Sequence, residues 1–376
     1  MQDSQHPTVS PQPPVASRQG RPISPPTSDL RPPTSPRPAF TLTELLIVIA
    51  IIAVLAGLIA AAAVNALKKG RETRITLEMQ NMSAAIENFK NDASIGGAYP
   101  CSVAYSANPT AAQLKQAKGD LTRTFSKMFG RANEPSLPLI INKLSGDTAA
   151  AGTKNFGGHL EGGMSPSEAL VFWLGGFAAD QALPLSGQGG PSFLVADGEV
   201  LESRKWAYEF DLSRLGPRDD NGQFAGRYII YPDPVTGNDR RINLWTYTPS
   251  GSEVPFAYFD VSRIKPSTCS TKFGANQITS LPWARSNPLD SSSVLITPLR
   301  EPLESMPNAN AMTFNQTKFV NQDKFQIMHP GLDDAWDEAN VQSFGKLLYP
   351  EGPFIGPIAD TLTNFTDGTL ASASEE

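Results

Sequence analysis

An uninterrupted apolar run at residues 45–64 constrains the fold more than any other feature of the sequence. Its letters, LLIVIAIIAVLAGLIAAAAV, include no charged or polar side chain. As an α-helix at about 1.5 Å per residue, the run would extend about 30 Å, the hydrocarbon thickness of a bilayer. The apolar core of an ordinary secretory signal has only about 7–15 residues. The run therefore predicts an inserted membrane helix. Basic residues flank it almost equally on both sides, so charge does not fix its orientation.

The helix is predicted to continue past the membrane span. Apolar residues recur at spacings of three and four, which places them in one stripe along an amphipathic helix: Ile75, Met79, Met82, Ile86 and Phe89. Gly96 and Gly97 are expected to end it. One long helix is thus predicted from about residue 40 to about residue 92, apolar all round in its first half and on one side in its second.

The segment before the span has a different composition. Residues 1–39 hold 11 of the 33 prolines of the chain together with many serines and threonines. Because large apolar residues are almost missing there, burial cannot offset the entropy lost on folding. We predict a disordered, weakly basic arm with polyproline character.

The rest of the chain predicts an α+β body. In the segment SPSEALVFWL, Ser165, Pro166 and Glu168 have the spacing of a helix N-cap with a capping box. From about residue 192, short runs rich in aromatic and β-branched residues alternate with the turn sequences DDNG, VTGND and SGSE. This pattern predicts an antiparallel meander. The predicted fold class is therefore α+β, with a long N-terminal helix followed by a mixed helical and β-meander head.

Sequence patterns typical of catalysis are lacking. The three histidines have no metal-binding spacing, and the chain contains no nucleophile elbow, P-loop or dinucleotide fingerprint. The net charge of −6 also argues against a nucleic-acid-binding surface. We therefore expect a protein that is not an enzyme. The two cysteines, Cys101 and Cys269, form no C-x-x-C pair. They could form one disulfide outside the cytoplasm or remain separate thiols.

The start of the apolar run carries a family resemblance. Ala39 is followed by Phe40-Thr41-Leu42-Thr43-Glu44-Leu45, which resembles the processing motif of type IV pilins and type II secretion pseudopilins, although those proteins usually have glycine at the position of Ala39. The resemblance implies that a membrane prepilin peptidase cuts between Ala39 and Phe40 on the cytoplasmic side and N-methylates Phe40.

The same resemblance implies an organisation for the whole chain. Residues 1–39 would be a cleaved leader, residues 40–95 the N-terminal helix, and residues 96–376 an extracytoplasmic head. The protein would sit in the inner membrane as a single-pass protein with its N-terminus in the cytoplasm. An inner-membrane assembly platform would then draw it into a periplasmic or cell-surface filament with other pilin or pseudopilin subunits.

Glu44 has a physical interpretation in this scheme. A lone carboxylate at the hydrocarbon boundary is unfavourable unless it is paired or protonated. Cleavage before Phe40 creates an α-ammonium group four residues away, within reach of Glu44 in a helix. In a filament, Glu44 could instead pair with Phe40 of a neighbouring subunit. The alternative interpretation is an uncleaved signal anchor with Glu44 at the lipid headgroups.

A second resemblance lies near the C-terminus. The segment FQIMHPGLDDAWDEA is similar to the part of major pseudopilins that binds calcium, although later glycines of that loop are replaced here. Carboxylate oxygens suit Ca²⁺, so the resemblance implies Asp333, Asp334 and Asp337 as possible calcium ligands. A solvated acidic loop is the alternative.

Two functions of different classes are compatible with these features. The first is a structural subunit of a type II secretion pseudopilus or type IV pilus-like filament. The second is a membrane-anchored envelope protein whose head binds a ligand and which does not polymerise. The N-terminus of the mature protein distinguishes them in part, because only the first requires an N-methylated Phe40.

Overall fold

The computed structural model describes residues 40–92, 98–102, 111–130, 133–147, 160, 163–187, 190–191, 204–233, 237–263, 284–285, 294–303, 317–336 and 348–374. The chain divides into two compact units, residues 1–59 and residues 60–376. The first contributes only the beginning of the N-terminal helix to the described structure. The second contains the other described elements.

Helix α1, Leu42–Asn91, has nearly the predicted bounds. Every residue from 40 to 70 is exposed to solvent. Beyond that point the predicted stripe packs into the protein, and its five members are buried: Ile75, Met79, Met82, Ile86 and Phe89. The three- and four-residue spacing therefore identified the buried face of the helix correctly.

Four shorter helices follow: α2, Ala111–Met128; α3, Leu137–Ser145; α4, Pro166–Leu174; and α5, Leu370–Ala373. Helix α4 begins as predicted. The Ser165 hydroxyl accepts a hydrogen bond from the Glu168 amide at 3.3 Å, and the Ser165 amide donates to the Glu168 carboxylate at 2.8 Å. This reciprocal capping box satisfies two amides at the start of the helix. All nine residues of α4 are buried, so the helix belongs to the core.

The described strands are short. In chain order they are β1, Phe177–Ala178; β2, Arg204–Lys205; β3, Leu215–Gly216; β4, Tyr228–Pro232; β5, Asp239–Asn243; β6, Thr246–Tyr247; β7, Ala257–Phe259; β8, Ala284–Arg285; β9, Leu295–Ile296; β10, Arg300–Pro302; β11, Thr317–Phe319; β12, Gln326–His329; and β13, Leu362–Thr363. Short 3₁₀ helices occupy Leu212–Arg214, Val261–Arg263 and Gly356–Asp360.

Pairing between the described strands is antiparallel throughout, as the α+β prediction requires. Strands β4 and β5 form a hairpin in which Ile229 lies opposite Ile242. The three-stranded sheet has the order β13-β12-β7, however, so β12 pairs with the next strand, β13, on one edge and with the distant strand β7 on the other. Met328 on β12 faces Ala257 on one side and Thr363 on the other. Every residue of β12 is buried, and strands on both edges provide hydrogen-bond partners for its backbone, as buried backbone groups require. Because β12 pairs with the distant strand β7, a simple meander does not describe this sheet.

An aromatic cluster joins three helices in the core. Trp173 on α4 lies 6.4 Å from Phe89 on α1 and 5.0 Å from Phe125 on α2, measured between ring centroids. The indole N–H of Trp173 donates to the Cys101 carbonyl at 2.9 Å. Aromatic pairs at these separations contribute beyond their burial alone. The second half of α1 is therefore part of the hydrophobic core.

Candidate functional site

Two residues of the segment 40–45, Thr41 and Glu44, cap the first turn of α1. The Thr41 hydroxyl accepts a hydrogen bond from the Glu44 amide at 3.2 Å, and the Thr41 amide donates to Oε2 of Glu44 at 2.9 Å. The Thr41 hydroxyl also donates to the same carboxylate oxygen at 2.8 Å. This is a reciprocal capping box, and the positive end of the helix dipole favours the carboxylate there. Glu44 thus has a structural role at the start of the helix.

The charge of Glu44 alone does not indicate the capping role of Thr41, but T-x-x-E before an apolar run is a recognisable signal of it. Phe40 lies immediately before the cap and is 77% exposed. Ala39, the residue expected before the cleaved bond, lies outside the described residues. The predicted cleavage between Ala39 and Phe40 therefore remains a prediction here.

The apolar span follows directly after the cap. All residues from 45 to 64 are exposed. By length and composition, α1 is the one helix among the described residues that could cross a membrane. Exposed aliphatic side chains around the whole circumference of a helix require an apolar surrounding. Lipid, or helices of other subunits, would meet this requirement.

A polar junction marks the point where α1 enters the core. Arg71 donates to the Leu332 carbonyl at 2.7 Å and to Oδ2 of Asp334 at 2.5 Å. Asp334 also accepts from the Ser252 hydroxyl at 2.5 Å. Because Arg71 and Asp334 are both partly buried, their ion pair is screened less than a surface pair. The junction connects α1 to the loop that follows β12.

Ser252, His329 and Asp334 lie together but do not form a catalytic triad. Nδ1 of His329 accepts a hydrogen bond from the Gly331 amide at 3.0 Å, so the neutral ring carries its proton on Nε2. Burial lowers the pKa of His329 to about 4, which keeps the ring neutral at pH 7. Nε2 lies 2.9 Å from the Ser252 hydroxyl and therefore donates to it. A triad base needs the opposite tautomer, with the carboxylate on Nδ1.

The acidic loop shows other uses for its carboxylates. Asp333 accepts from the Ala335 amide at 3.0 Å, which closes a local turn. Asp334 pairs with Arg71, and Asp337 lies outside the described residues. Within the described part of the chain, no group of three histidine, cysteine, aspartate or glutamate side chains could hold a metal ion. Calcium binding by Asp333, Asp334 and Asp337 stays a prediction.

The cysteines are placed only in part. Cys101 is fully buried, and burial raises the pKa of its thiol far above the usual range. Such a thiol is a poor nucleophile, because the thiolate is the reactive form. Cys269 lies outside the described residues, so a disulfide between Cys101 and Cys269 also stays a prediction.

Comparison with known families identifies one segment of the chain. Residues 36–60 match the prokaryotic N-terminal methylation motif, which is the prepilin-type motif of type IV pilins and pseudopilins. No curated protein and no solved structure matches the chain. The matched segment contains the capping box and most of the apolar span, and it supports a pilin-like protein that is a prepilin peptidase substrate.

Proposed function

We propose that this protein is a structural subunit of a type IV pilus-like filament or a type II secretion pseudopilus. The observation that carries the proposal is the N-terminal methylation motif at residues 36–60, which continues into an apolar helix exposed on all sides. Residues 1–39 act as a leader that the peptidase removes, residues 40–95 form the anchoring helix, and residues 96–376 form the head. The role of the protein is structural, not enzymatic.

The proposed site of processing is the bond between Ala39 and Phe40. Cleavage there leaves Phe40 as the new N-terminus, one residue before the capping Thr41. The high exposure of Phe40 is compatible with access by a modifying enzyme. The mature protein is anchored in the inner membrane by residues 45–64, with its head outside the cytoplasm, before an assembly platform incorporates it into the filament.

Glu44 has two proposed roles that follow each other in time. In the precursor it caps α1 through Thr41. After cleavage, the α-ammonium group of Phe40 becomes available four residues from Glu44. During assembly the carboxylate pairs with this group, either in its own chain or in a neighbouring subunit, and so sets the register between helices. A single buried polar residue can fix register in this way in coiled coils.

Processing can be tested by intact mass and N-terminal sequencing of the full chain, co-expressed with a prepilin peptidase in membranes. We expect a mature chain that begins with N-methyl-phenylalanine at position 40. The matched variants are Ala39→Gly, which keeps a small residue and should be cleaved, and Ala39→Leu, which should block cleavage. A mature wild-type chain that retains residues 1–39 would contradict the proposal and favour an uncleaved, membrane-anchored protein that does not polymerise.

Incorporation is tested separately in cells that make the assembly platform. Filaments are sheared from the cells, or pulled down through a tagged major subunit, and probed for this protein. We expect the protein in the filament fraction only when it has been cleaved. An Ala39→Leu chain that enters filaments as well as the wild type would exclude the proposed order of events.

A further inference from the structure

The unit formed by residues 60–376 contains an open cavity of about 620 Å³. It lies where the end of α1, the end of α2, the residues after α4 and the β1–β2 pair meet. Five aromatic residues contribute to its lining: Phe89, Phe129, Trp173, Phe177 and Trp206. The volume is within the range of about 300–1,000 Å³ that is typical of small-molecule sites.

The floor of the cavity is preorganised. Phe89, Trp173 and Phe177 are at least 96% buried, and Trp173 lies 5.8 Å from Phe177 between ring centroids. Phe129 packs against Phe177 at 5.0 Å. The indole N–H of Trp173 is already bonded to the Cys101 carbonyl, so it does not need a ligand. Only small, apolar parts of these rings therefore reach the cavity, and packing holds the rings in place.

The exposed residues at the opening of the cavity, its rim, are mostly polar. Asn88, Asp92 and Gln181 are exposed and line the cavity. Asn88 and Asp92 are four residues apart at the end of α1, which directs both side chains to the same side of the helix. Each amide group offers a donor and an acceptor, and the carboxylate offers acceptors. Trp206, which is 42% exposed, places a large ring beside these polar groups.

The charge of the lining restricts the ligand. The described lining residues include one carboxylate, Asp92, and no lysine, arginine or histidine. The C-terminal end of α1, which carries partial negative charge, lies at the same place. The cavity thus favours a neutral or cationic molecule that has an apolar face and a hydrogen-bonding edge.

We propose that this cavity binds a neutral saccharide of one or two rings. The C–H face of a sugar ring would stack on the exposed indole of Trp206, and its edge would lie against the apolar floor. Its hydroxyl groups would bond to the amides and the carboxylate of the rim. An organic cation would use the rings and Asp92, but it would leave the amides of Asn88 and Gln181 bonded to water only. A saccharide uses both parts of the lining. This binding does not depend on filament assembly.

The test uses the full chain in detergent and an array of neutral glycans, followed by calorimetric titration with the glycans that bind. Choline is titrated in parallel as a cationic probe. We expect saturable binding of at least one neutral glycan. Trp206→Ala should raise the dissociation constant by about tenfold or more, whereas Trp206→Phe, which keeps a ring, should retain most of the affinity. Gln181→Ala should weaken binding to a smaller extent.

Tyr228→Ala is the matched control, because Tyr228 is another partly exposed aromatic side chain that does not line the cavity. Its loss should leave glycan binding unchanged. Three results would overturn the proposal: binding of choline but of no saccharide, no binding to any glycan on the array, or equal affinity of the wild type and Trp206→Ala. If Trp206→Ala fails to fold, Trp206→Phe and Gln181→Ala still decide the outcome through their separate effects on affinity.

Discussion

The packing of the second half of α1 can be tested by one matched pair of substitutions on that helix. Ile86 is completely buried, whereas Leu77 is 56% exposed. Replacing either residue with alanine removes three carbon atoms from an aliphatic side chain. The two changes are chemically similar and differ mainly in what surrounds them.

The expected magnitudes follow from burial. Three buried carbon groups at about 0.8 kcal/mol each correspond to about 2.4 kcal/mol of lost transfer free energy. The cavity left behind adds to this, so Ile86→Ala should lower the free energy of unfolding by about 2–5 kcal/mol. Leu77→Ala should change it by no more than about 0.5 kcal/mol, as is usual for surface positions.

Urea unfolding of the full chain in detergent, followed by tryptophan fluorescence, measures this difference. Trp173 reports on the relevant core, because its ring lies 6.4 Å from Phe89, three residues beyond Ile86. We expect a lower midpoint at an unchanged slope for Ile86→Ala. Equal effects of the two substitutions, or a loss below about 1 kcal/mol for Ile86→Ala, would refute the assignment of this part of the helix to the core.

Three further predictions concern charge, protonation and backbone. Glu44→Gln keeps an acceptor for the helix cap but removes the charge, so it should be processed normally and fail to enter filaments, as should Glu44→Ala. Filament entry of Glu44→Gln at the wild-type level would leave Glu44 with the capping role alone. Burial lowers the pKa of His329 to about 4 and raises that of Asp260 to about 6. Between pH 4 and 6.5 the His329 contribution makes stability rise with pH, because the unfolded state holds the extra proton, whereas the Asp260 contribution makes it fall. Asp260→Asn should therefore make the free energy of unfolding rise more steeply with pH, by up to about 3 kcal/mol over the whole interval. Urea titrations at several pH values measure this free energy, and a pH dependence equal to that of the wild type would contradict the prediction. Gly331 has φ +96°, and an added Cβ would lie 1.9 Å from a backbone carbonyl oxygen. Gly331→Ala should therefore lower the melting temperature more than Gly222→Ala, where φ is also positive but the space is open; equal shifts would contradict the close approach.

The elements that could be predicted from the sequence are those with local signals. The stripe from Ile75 to Phe89 repeats every three or four residues, and the capping box of α4 lies within four residues, Ser165 to Glu168. Helical hydrogen bonds and caps join residues that are close in the chain, so the pattern alone contains the information. The capping box of Thr41 and Glu44 is equally local, and its T-x-x-E spacing is present in the sequence.

Contacts between distant segments could not be predicted in this way. Arg71 and Asp334 are 263 positions apart, and no periodicity connects them. The prediction of Asp334 as a calcium ligand uses only its acidic neighbours in the sequence. The guanidinium group that pairs with it belongs to another element and is brought there by the fold. The aromatic cavity has the same origin, since its lining comes from four separate segments.

The exposed part of α1 determines which forces could drive the proposed assembly. Twelve large aliphatic side chains between residues 45 and 64 are at least 43% exposed. Removing these side chains from water lowers the free energy by about 10 kcal/mol or more, which is comparable to the whole free energy of unfolding of a domain. The helix must therefore stay covered at every stage. Lipid tails are as apolar as leucine, so exchanging lipid for neighbouring helices changes this contribution little. Polar groups that differ between the two surroundings must then provide the specificity, and Glu44 is the only charged side chain between residues 40 and 67.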